Sequence, residues 1–573
     1  MKARASVSDW RSARCWLAAA ILTAALSVRG CDRENAASKE EPLVDFLTTH
    51  VRTIQPLEKE AALAWWEAAT TGKSEAYEAV NALTLQIRRV YTDANDFAYL
   101  KGLRESGTVQ DLLRARQVEV LYYAYLENQI DAGLLKQMVD LGTKIEQNFS
   151  THRGRIDGRT VTDNEIKEIL KTDPNSAIRE KAWLTSKQVG PVVAQDILAL
   201  VRLRNQAARS LGFDNYHTLA LTVSEQDVAQ VDAIFAELER LTNEPFTAAK
   251  AELDAILAGL YGADAADLMP WHYHDPFFQE TPLVYELDLD KYYADADIKH
   301  LAAKFYASIG LPVESILDDS DLYDREGKNP HAFSTDIDRE GDVRILCNIK
   351  PNETWMETVL HELGHGVYDF YRDPEVPYLL RRPAHAFTTE GIAMFFGRLS
   401  RNAYWMQKTL NLSDEQRMEI EKVAGRYARL KQLIFARWAM VMYNFEKALY
   451  ADPDQDLNAL WWEMAAKYQL IRTPPDRDAP DWAAKIHFAV APCYYHNYML
   501  GELFASQLHH HIVKNVLMLE SDAGLSYVNQ PQVGAYLKSA VFRVGALYHW
   551  NEMIRRATGE RLTARYFVEQ FVD

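Results

Sequence analysis

The stretch Thr358–Phe370, TVLHELGHGVYDF, contains the pattern His-Glu-x-x-His, and this pattern decides the fold and the chemistry that the sequence predicts. Over residues 353–371 apolar side chains recur at steps of three and four, which indicates an amphipathic helix. Residues four positions apart lie on one face of a helix, so the imidazoles of His361 and His365 can bind one metal ion. Glu362 lies one residue further round and can accept a proton from an attacking water.

The third metal ligand is expected on a second helix, because a catalytic zinc takes three protein ligands and keeps one position open. Residues 381–400, RRPAHAFTTEGIAMFFGRLS, show helical periodicity again, and Glu390 begins their apolar part. His385 competes for the role but lies in an expected loop before this helix. The sequence therefore favours Glu390 as the third ligand beside the two histidines, with one zinc ion per chain.

Residues 1–30 differ from the rest of the chain. Basic residues precede an apolar run, Cys15–Val28, that is too short to span a bilayer, which is typical of a secretory signal peptide. Cys31 follows this run and is a candidate for lipid modification as the first mature residue; simple cleavage nearby is the alternative. We expect export to the periplasm, with residues 31–42 as a polar tether and residues 43–573 as the folded domain.

Charge and cysteine usage exclude several classes of protein. The 573-residue chain has a formal net charge of −18 and no basic patch, so a nucleic-acid partner is not expected. Beyond Cys31, only Cys347 and Cys493 remain, and they form either one disulfide bond or two buried thiols. After residue 30 no segment is long and apolar enough for a membrane helix. Nothing in the sequence implies an oligomer.

The expected fold class is mainly α, with one large helical domain and a deep central cleft. The segment His331–Ile349 breaks the helical pattern, because alternating β-formers flank an Asp-Arg-Glu-Gly-Asp turn, which predicts a hairpin beside the metal-binding helix. Asn352 and Thr354 follow it as candidate N-caps of that helix. Long helices are expected over Ala61–Tyr91, Val109–Phe149, Val192–Leu211, Val228–Leu260 and Asp414–Tyr450.

Several segments occur in a characteristic order: AAKFYASIGLP (302–312), HAFS (331–334), WWEMAAKYQLIRTPPDR (461–477), AKIHFAVAPCYYHNY (484–498) and GALYHWNEMIRRATGERL (545–562). Together they resemble the angiotensin-converting-enzyme-like zinc peptidases along most of the chain. The thimet-type oligopeptidases and oligoendopeptidases, which are similar in the metal motif and in a His…Tyr segment, are the nearest rival. The resemblance implies a glutamate on the helix after the motif as third ligand, in agreement with Glu390.

The resemblance also implies roles for residues around the metal. His331 and the backbone of Ala332 would bind the substrate peptide as an added edge strand. Lys485 would hold the C-terminal carboxylate of the substrate. His487 and a tyrosine would stabilise the oxyanion of the tetrahedral intermediate.

The tyrosine assignments remain open, because the spacing differs by one residue from that of the family. Direct counting from His487 reaches Asn497, and a shift of one residue makes Tyr498 the catalytic candidate. Tyr494 is then the candidate for binding the carboxylate, with Tyr495 as runner-up for either role.

Two further departures affect the expected site. Where the family has a glutamine that binds the carboxylate, the chain has Tyr273 in the sequence WHY, so we expect weaker binding of the carboxylate. Where the family has an aspartate four residues after the third ligand, the chain has Met394, so another group must orient His361.

The expected function is zinc-dependent hydrolysis of oligopeptides by a peptidyl-dipeptidase, which removes dipeptides from the carboxyl end. An oligoendopeptidase of the thimet-like type is the alternative. A third hypothesis is a catalytically silent peptide-binding protein of the same fold. The intact general base Glu362 argues against it, because binding alone needs no base.

Overall fold

The structure is a computed structural model that describes residues 12–285 and 288–572, with side chains from residue 41 onwards. Within these ranges the chain is mainly helical, with two small two-stranded sheets, which confirms the mainly α class. Lys2, Arg4 and Arg11 lie outside the described residues, as does the side chain of Cys31, so the signal peptide, the lipid anchor and the tether stay predictions. Among the described helices, none combines the length and the apolarity that crossing a membrane requires.

In the part of the chain before the hairpin, two of the predicted long helices are divided into shorter ones. The predicted helix 61–91 is interrupted at Gly72, whose φ of +68° favours glycine and whose Cβ would lie 2.4 Å from the Gly327 carbonyl oxygen. The predicted helix 109–149 is also divided, and Asp131 caps its second part by accepting from the Leu134 amide. The helices are α1 (Ser12–Thr71), α2 (Ser74–Tyr91), α3 (Ala94–Ser106), α4 (Leu112–Glu127), α5 (Ala132–Thr151), α6 (Asp163–Thr172), α7 (Ser176–Ser186), α8 (Val189–Ser210), α9 (Tyr216–Val223), α10 (Val228–Tyr261), α11 (Asp290–Tyr293), α12 (Ile298–Ser308) and α13 (Glu314–Asp318).

Helices of the second half carry the residues of the predicted site. They are α14 (Glu353–Phe370), α15 (Ala386–Gly397), α16 (Ala403–Leu410), α17 (Asp414–Ala451), α18 (Leu457–Gln469), α19 (His487–Val490), α20 (His496–His511), α21 (Pro531–Leu537), α22 (Trp550–Thr558) and α23 (Arg565–Phe571). Helix α15 packs between α14 and α20. Small residues allow this close approach, since a Cβ on Gly364 would lie 2.7 Å from the Cα of Ala393, and one on Gly391 would lie 2.9 Å from the Gly501 carbonyl oxygen.

The predicted hairpin is present. Its strands pair antiparallel with Phe333 opposite Leu346 and Asp336 opposite Val343. A short bridge to Asp321 covers the far edge of the second strand, whereas the outer edge of the first has no strand partner among the described residues. The strands of the molecule are β1 (Gly154–Ile156), β2 (Arg159–Val161), β3 (Phe333–Asp336) and β4 (Val343–Leu346).

One main hydrophobic core extends from Ile145 to Val572, and it holds α14, α15, α17 and α20 together. A smaller cluster joins α1, α3 and α4 to the region of Tyr378. Cys347 and Cys493 are both buried and free, so they are two thiols and not a disulfide bond.

Candidate metal centre

The three predicted metal ligands lie together where α14 packs against α15. His361 and His365 occupy successive turns of α14, and their Nε2 atoms lie 3.7 and 3.9 Å from Oε2 of Glu390 on α15. Asn352 caps α14 by accepting from the Trp355 amide at 2.9 Å, as predicted. Among the residues that the structure describes, this is the one group of three or more His, Cys, Asp or Glu side chains whose ligand atoms lie close enough together to bind one metal ion.

The chemistry of these donors fits zinc. Burial lowers the pKa of His361 to about 4, against an opposing effect of Glu357. Burial and the neighbouring His361 lower the pKa of His365 to about 3, so both rings are neutral imidazoles. Nδ1 of His365 lies 2.7 Å from the Thr389 hydroxyl, which leaves Nε2 free to coordinate a metal. Two neutral imidazoles and one carboxylate are a ligand set of catalytic zinc sites.

His385, the competing candidate, has a different place. Its Nδ1 accepts a hydrogen bond from the Phe387 amide at 3.1 Å, so it caps the helix that carries Glu390. Its ring packs against Phe387 and Trp550. His385 therefore helps to begin α15 and is not part of the metal group.

Glu362 is buried beside the metal ligands and also touches the hairpin. Burial, followed by the charge of Glu390, raises the pKa of its carboxyl to about 8, and a backbone hydrogen bond from Ser334 in β3 opposes this rise. A divalent cation between the three ligands would lower this pKa, because positive charge favours the carboxylate. The position suits a general base that acts on a water next to the metal.

Glu357 is the carboxylate whose charge acts on His361. The aspartate expected near His361 is absent, because Met394 occupies its position in the sequence. Glu357 lies one turn earlier on α14 and raises the pKa of His361. Arg401 binds its carboxylate at 2.8 Å, and Lys431 lies 3.6 Å away. The spacing of four residues before a metal ligand is a signal by which the sequence could have identified it.

A second polar group surrounds Lys485. The Lys485 ammonium donates to Oε1 of Gln279 at 2.6 Å and lies 5.3 Å from the centre of the Tyr495 ring. The Tyr495 ring also contacts His487, at 5.2 Å between centroids, and its hydroxyl accepts from Trp438 Nε1. Gln279, Lys485 and His487 line a cavity of about 220 Å³.

The structure contradicts the expected place of Tyr273. Its hydroxyl donates to Asp254 at 2.9 Å and accepts from Lys250 at 2.7 Å, and it does not line the Lys485 cavity. A glutamine is not missing, because Gln279 occupies the position beside Lys485. Asp275 forms the turn that places it, by accepting from the Gln279 amide at 3.0 Å. An Asp-Pro pair four residues before a glutamine is the turn signal in the sequence.

The structure also corrects the tyrosine that lies beside Lys485. Tyr495, the runner-up, contacts Lys485, whereas Tyr494 lines a separate cavity of about 910 Å³ together with Thr389. Cys493 has a φ of +55°, and this left-handed residue reverses the chain just before α20, which a count of residues cannot reveal. Tyr498 packs against both tyrosines. Burial and the charge of Glu390 raise the pKa of Tyr498, and they raise the pKa of Tyr494 as well, so both phenols feel the charge of the third metal ligand.

His331 and Ala332 lie immediately before β3, at its free edge. The His331 side chain is exposed, and its backbone amide donates to Asn329 at 2.9 Å. Their role in binding peptide stays a prediction.

A further cavity borders the metal group. Besides the cavities already described, one of about 340 Å³ is lined by His361, Glu357 and Met394. The deep central cleft stays a prediction.

Comparison with known proteins adds two findings. The family model described as angiotensin-converting enzyme, Peptidase_M2, matches residues 37–266 and 273–572. Thermostable carboxypeptidase 1 of Pyrococcus furiosus is 25% identical over 264 residues, which cover 42% of this chain and 51% of that protein. The chain thus spans about half the length of this curated relative.

Proposed function

Because the chain belongs to the angiotensin-converting enzyme family of peptidases, we propose that it is a zinc-dependent peptidyl-dipeptidase that acts on oligopeptides. The proposal rests on one observation above all: Lys485 is buried and forms no ion pair among the described residues, and Tyr495 and Tyr498 connect it to the metal-binding group. The relative that bears the name carboxypeptidase supports action near a free carboxyl end.

Lys485 is the feature that favours action at the carboxyl end. Its side chain is 8% exposed, and within the described part of the chain it has no carboxylate partner, only the amide oxygen of Gln279. A buried charge is costly unless it is paired. The C-terminal carboxylate of a peptide would supply that pair, with the Tyr495 ring alongside.

The hydrolysis divides among residues of the chain as follows. A zinc ion held by His361, His365 and Glu390 would supply Lewis acidity to the scissile carbonyl and to the attacking water. Glu362 takes a proton from that water and passes it to the leaving amine. Tyr498 and His487 donate hydrogen bonds to the oxyanion. Burial, followed by the charge of Lys485, lowers the pKa of His487 to about 4, so its neutral ring donates through one N–H group.

The hairpin completes the proposed site. An extended peptide would pair with the free edge of β3 through the backbone at Ala332, with His331 beside it. The same strand contributes the Ser334 amide that binds Glu362, so strand pairing would bring the scissile bond next to the base.

Hydrolysis of a short internally quenched peptide, with product masses, tests the proposal. We expect release of C-terminal dipeptides, loss of activity with a chelator and recovery on adding zinc. Internal cuts with no dependence on the free carboxylate would favour the thimet-like oligoendopeptidase. Binding without turnover would favour the silent peptide-binding protein.

Export to the periplasm is proposed on the basis of residues 1–30 alone. Mass measurement of the mature amino terminus would test it, and a diacylated Cys31 would establish the lipid anchor.

A further inference from the structure

The residues predicted to bind the substrate carboxylate and the oxyanion lie in two segments of the chain that one turn connects. Lys485 and His487 precede the turn, and Tyr495 and Tyr498 follow it. The turn contains Cys493, a non-glycine residue with a φ of +55°. A residue persists in this left-handed conformation only where its surroundings hold it. The distance between the two halves of the site therefore depends on what holds the turn.

Arg204 of α8 holds the first part of the turn. Its guanidinium donates to the carbonyl oxygens of Phe488 at 2.9 Å and Ala489 at 2.6 Å. These carbonyls lie at the carboxyl end of α19, where a helix leaves such groups without internal partners. Arg204 is 8% exposed and forms no ion pair among the described residues, so these backbone groups and the Tyr450 hydroxyl are its partners.

Glu446 of α17 holds the last part. Its Oε1 accepts from the backbone amide of Cys493 at 2.8 Å, and the side chain is 4% exposed. Burial raises the pKa of Glu446 to about 8, so at neutral pH it is a carboxylic acid. Its hydrogen bond to the turn goes to the left-handed residue itself.

We propose that Arg204 and Glu446 are positioning residues, which fix the turn of residues 488–493 and thereby hold Tyr495 and Tyr498 at working distance from Lys485 and His487. Neither residue contacts the metal group, and the inference rests on the proposed peptidase function. Two separate helices hold the two ends of the turn, so loss of the bonds from either helix leaves one end of the turn without its side-chain partner. A displacement of about 1 Å in an active site can lower the rate about a hundredfold.

The test compares Glu446→Leu, Glu446→Gln, Arg204→Met and Tyr443→Phe in the full-length enzyme. Glutamine keeps the acceptor and matches the neutral acid in shape, whereas leucine removes the acceptor. Tyr443→Phe is the control, because it also deletes a side-chain hydrogen bond of α17, a partly buried one of 2.8 Å, but that bond goes to Asp232 and not to the turn. The readouts are kcat, KM for a free-acid peptide, zinc content and melting temperature.

We expect Glu446→Leu and Arg204→Met to lower kcat by about tenfold or more through displacement of Tyr498, and to raise KM by a smaller factor, since Lys485 and Gln279 precede the turn and Tyr495 follows it. Zinc content stays at one per chain, and Glu446→Gln and Tyr443→Phe stay within about threefold of wild type. If Glu446→Leu does not fold, Arg204→Lys, which cannot bridge two carbonyls, is expected to give the same loss of kcat.

The proposal is overturned if Glu446→Leu or Arg204→Lys keeps the wild-type kcat, or if Tyr443→Phe loses as much, because the effect would then be general destabilisation. An inactive wild-type enzyme would instead refute the proposed function.

Discussion

The Lys485 ammonium donates a 2.6 Å hydrogen bond to Gln279, a residue 206 positions earlier in the chain. Both side chains line one cavity beside His487. A cation and an amide that converge in a small cavity form a site for a carboxylate, because the ammonium supplies charge and the amide can turn its N–H₂ group toward an anion. In the proposed function, this pair would bind the carboxyl end of the substrate and so determine which way the peptide runs past the metal group.

Replacing Gln279 tests the carboxylate site. We expect Gln279→Leu to raise KM for free-acid peptides about tenfold, which corresponds to one hydrogen bond to a charged group of about 1.5 kcal/mol. Tyr273→Phe is the control and should leave KM unchanged, since its hydroxyl bonds to Asp254 and Lys250. A larger rise in KM for Tyr273→Phe than for Gln279→Leu would show that Tyr273 binds the carboxylate.

Amidation of the substrate should slow cleavage. Removing the terminal charge loses a charge-assisted contact worth about 1.5–3 kcal/mol, so kcat/KM should fall about ten- to a hundredfold. Matched free-acid and amidated peptides, analysed by product mass, measure this ratio. Equal rates would contradict the peptidyl-dipeptidase proposal and support an oligoendopeptidase.

The preference for a free carboxylate should weaken at alkaline pH. The pKa of Lys485 is lowered to about 8, chiefly by burial and further by the charge of Lys167, while the charges of Asp275 and Glu280 oppose the shift. Lys485 is protonated below this pKa, so kcat/KM for a free-acid peptide should be constant up to about pH 8 and fall above it, because kcat/KM reports groups of the free enzyme.

The amidated peptide provides the control, since it has no terminal carboxylate and its kcat/KM therefore does not depend on the charge of Lys485. The ratio of the two kcat/KM values should therefore decrease above pH 8. In Lys485→Met the ratio should be independent of pH, and a persistent decrease there would assign the titration to another group.

Glu362→Gln should separate metal binding from turnover. Glutamine cannot accept the proton, so kcat should fall about 10²–10⁴-fold, while zinc content stays at one per chain. Metal analysis and turnover on the same preparation check both. Loss of zinc, or a wild-type rate, would contradict the role as general base.

Glu390→Ala and His385→Ala should have different effects. We expect Glu390→Ala to weaken zinc binding by more than about a hundredfold, because loss of an outer-shell partner alone costs about 10–100-fold. His385→Ala should keep zinc and lower the free energy of unfolding by about 1 kcal/mol through loss of the helix cap. Competition with a chromogenic chelator and denaturant titration measure these quantities, and the reverse pattern would make His385 the ligand.

The sequence by itself determined the geometry of His361, Glu362 and His365, because helical spacing is a local property of the backbone. It also predicted the hairpin, from a turn flanked by β-formers, and Glu390, from the periodicity of one helix. Each of these depends on contacts within a few residues of the chain.

Tertiary structure alone decided which side chains surround Lys485 and what holds them. Gln279 and Glu446 reach the turn of residues 488–493 and its neighbours from distant segments, and no local pattern indicates such packing. The choice of Tyr495 over Tyr494 follows from tertiary contacts, since Tyr495 packs beside Lys485 and His487 whereas Tyr494 lines the cavity of about 910 Å³. Both tyrosines follow the left-handed backbone of Cys493. That conformation is costly for the isolated residue, so it exists because Glu446 and the packed helices around it compensate for its cost.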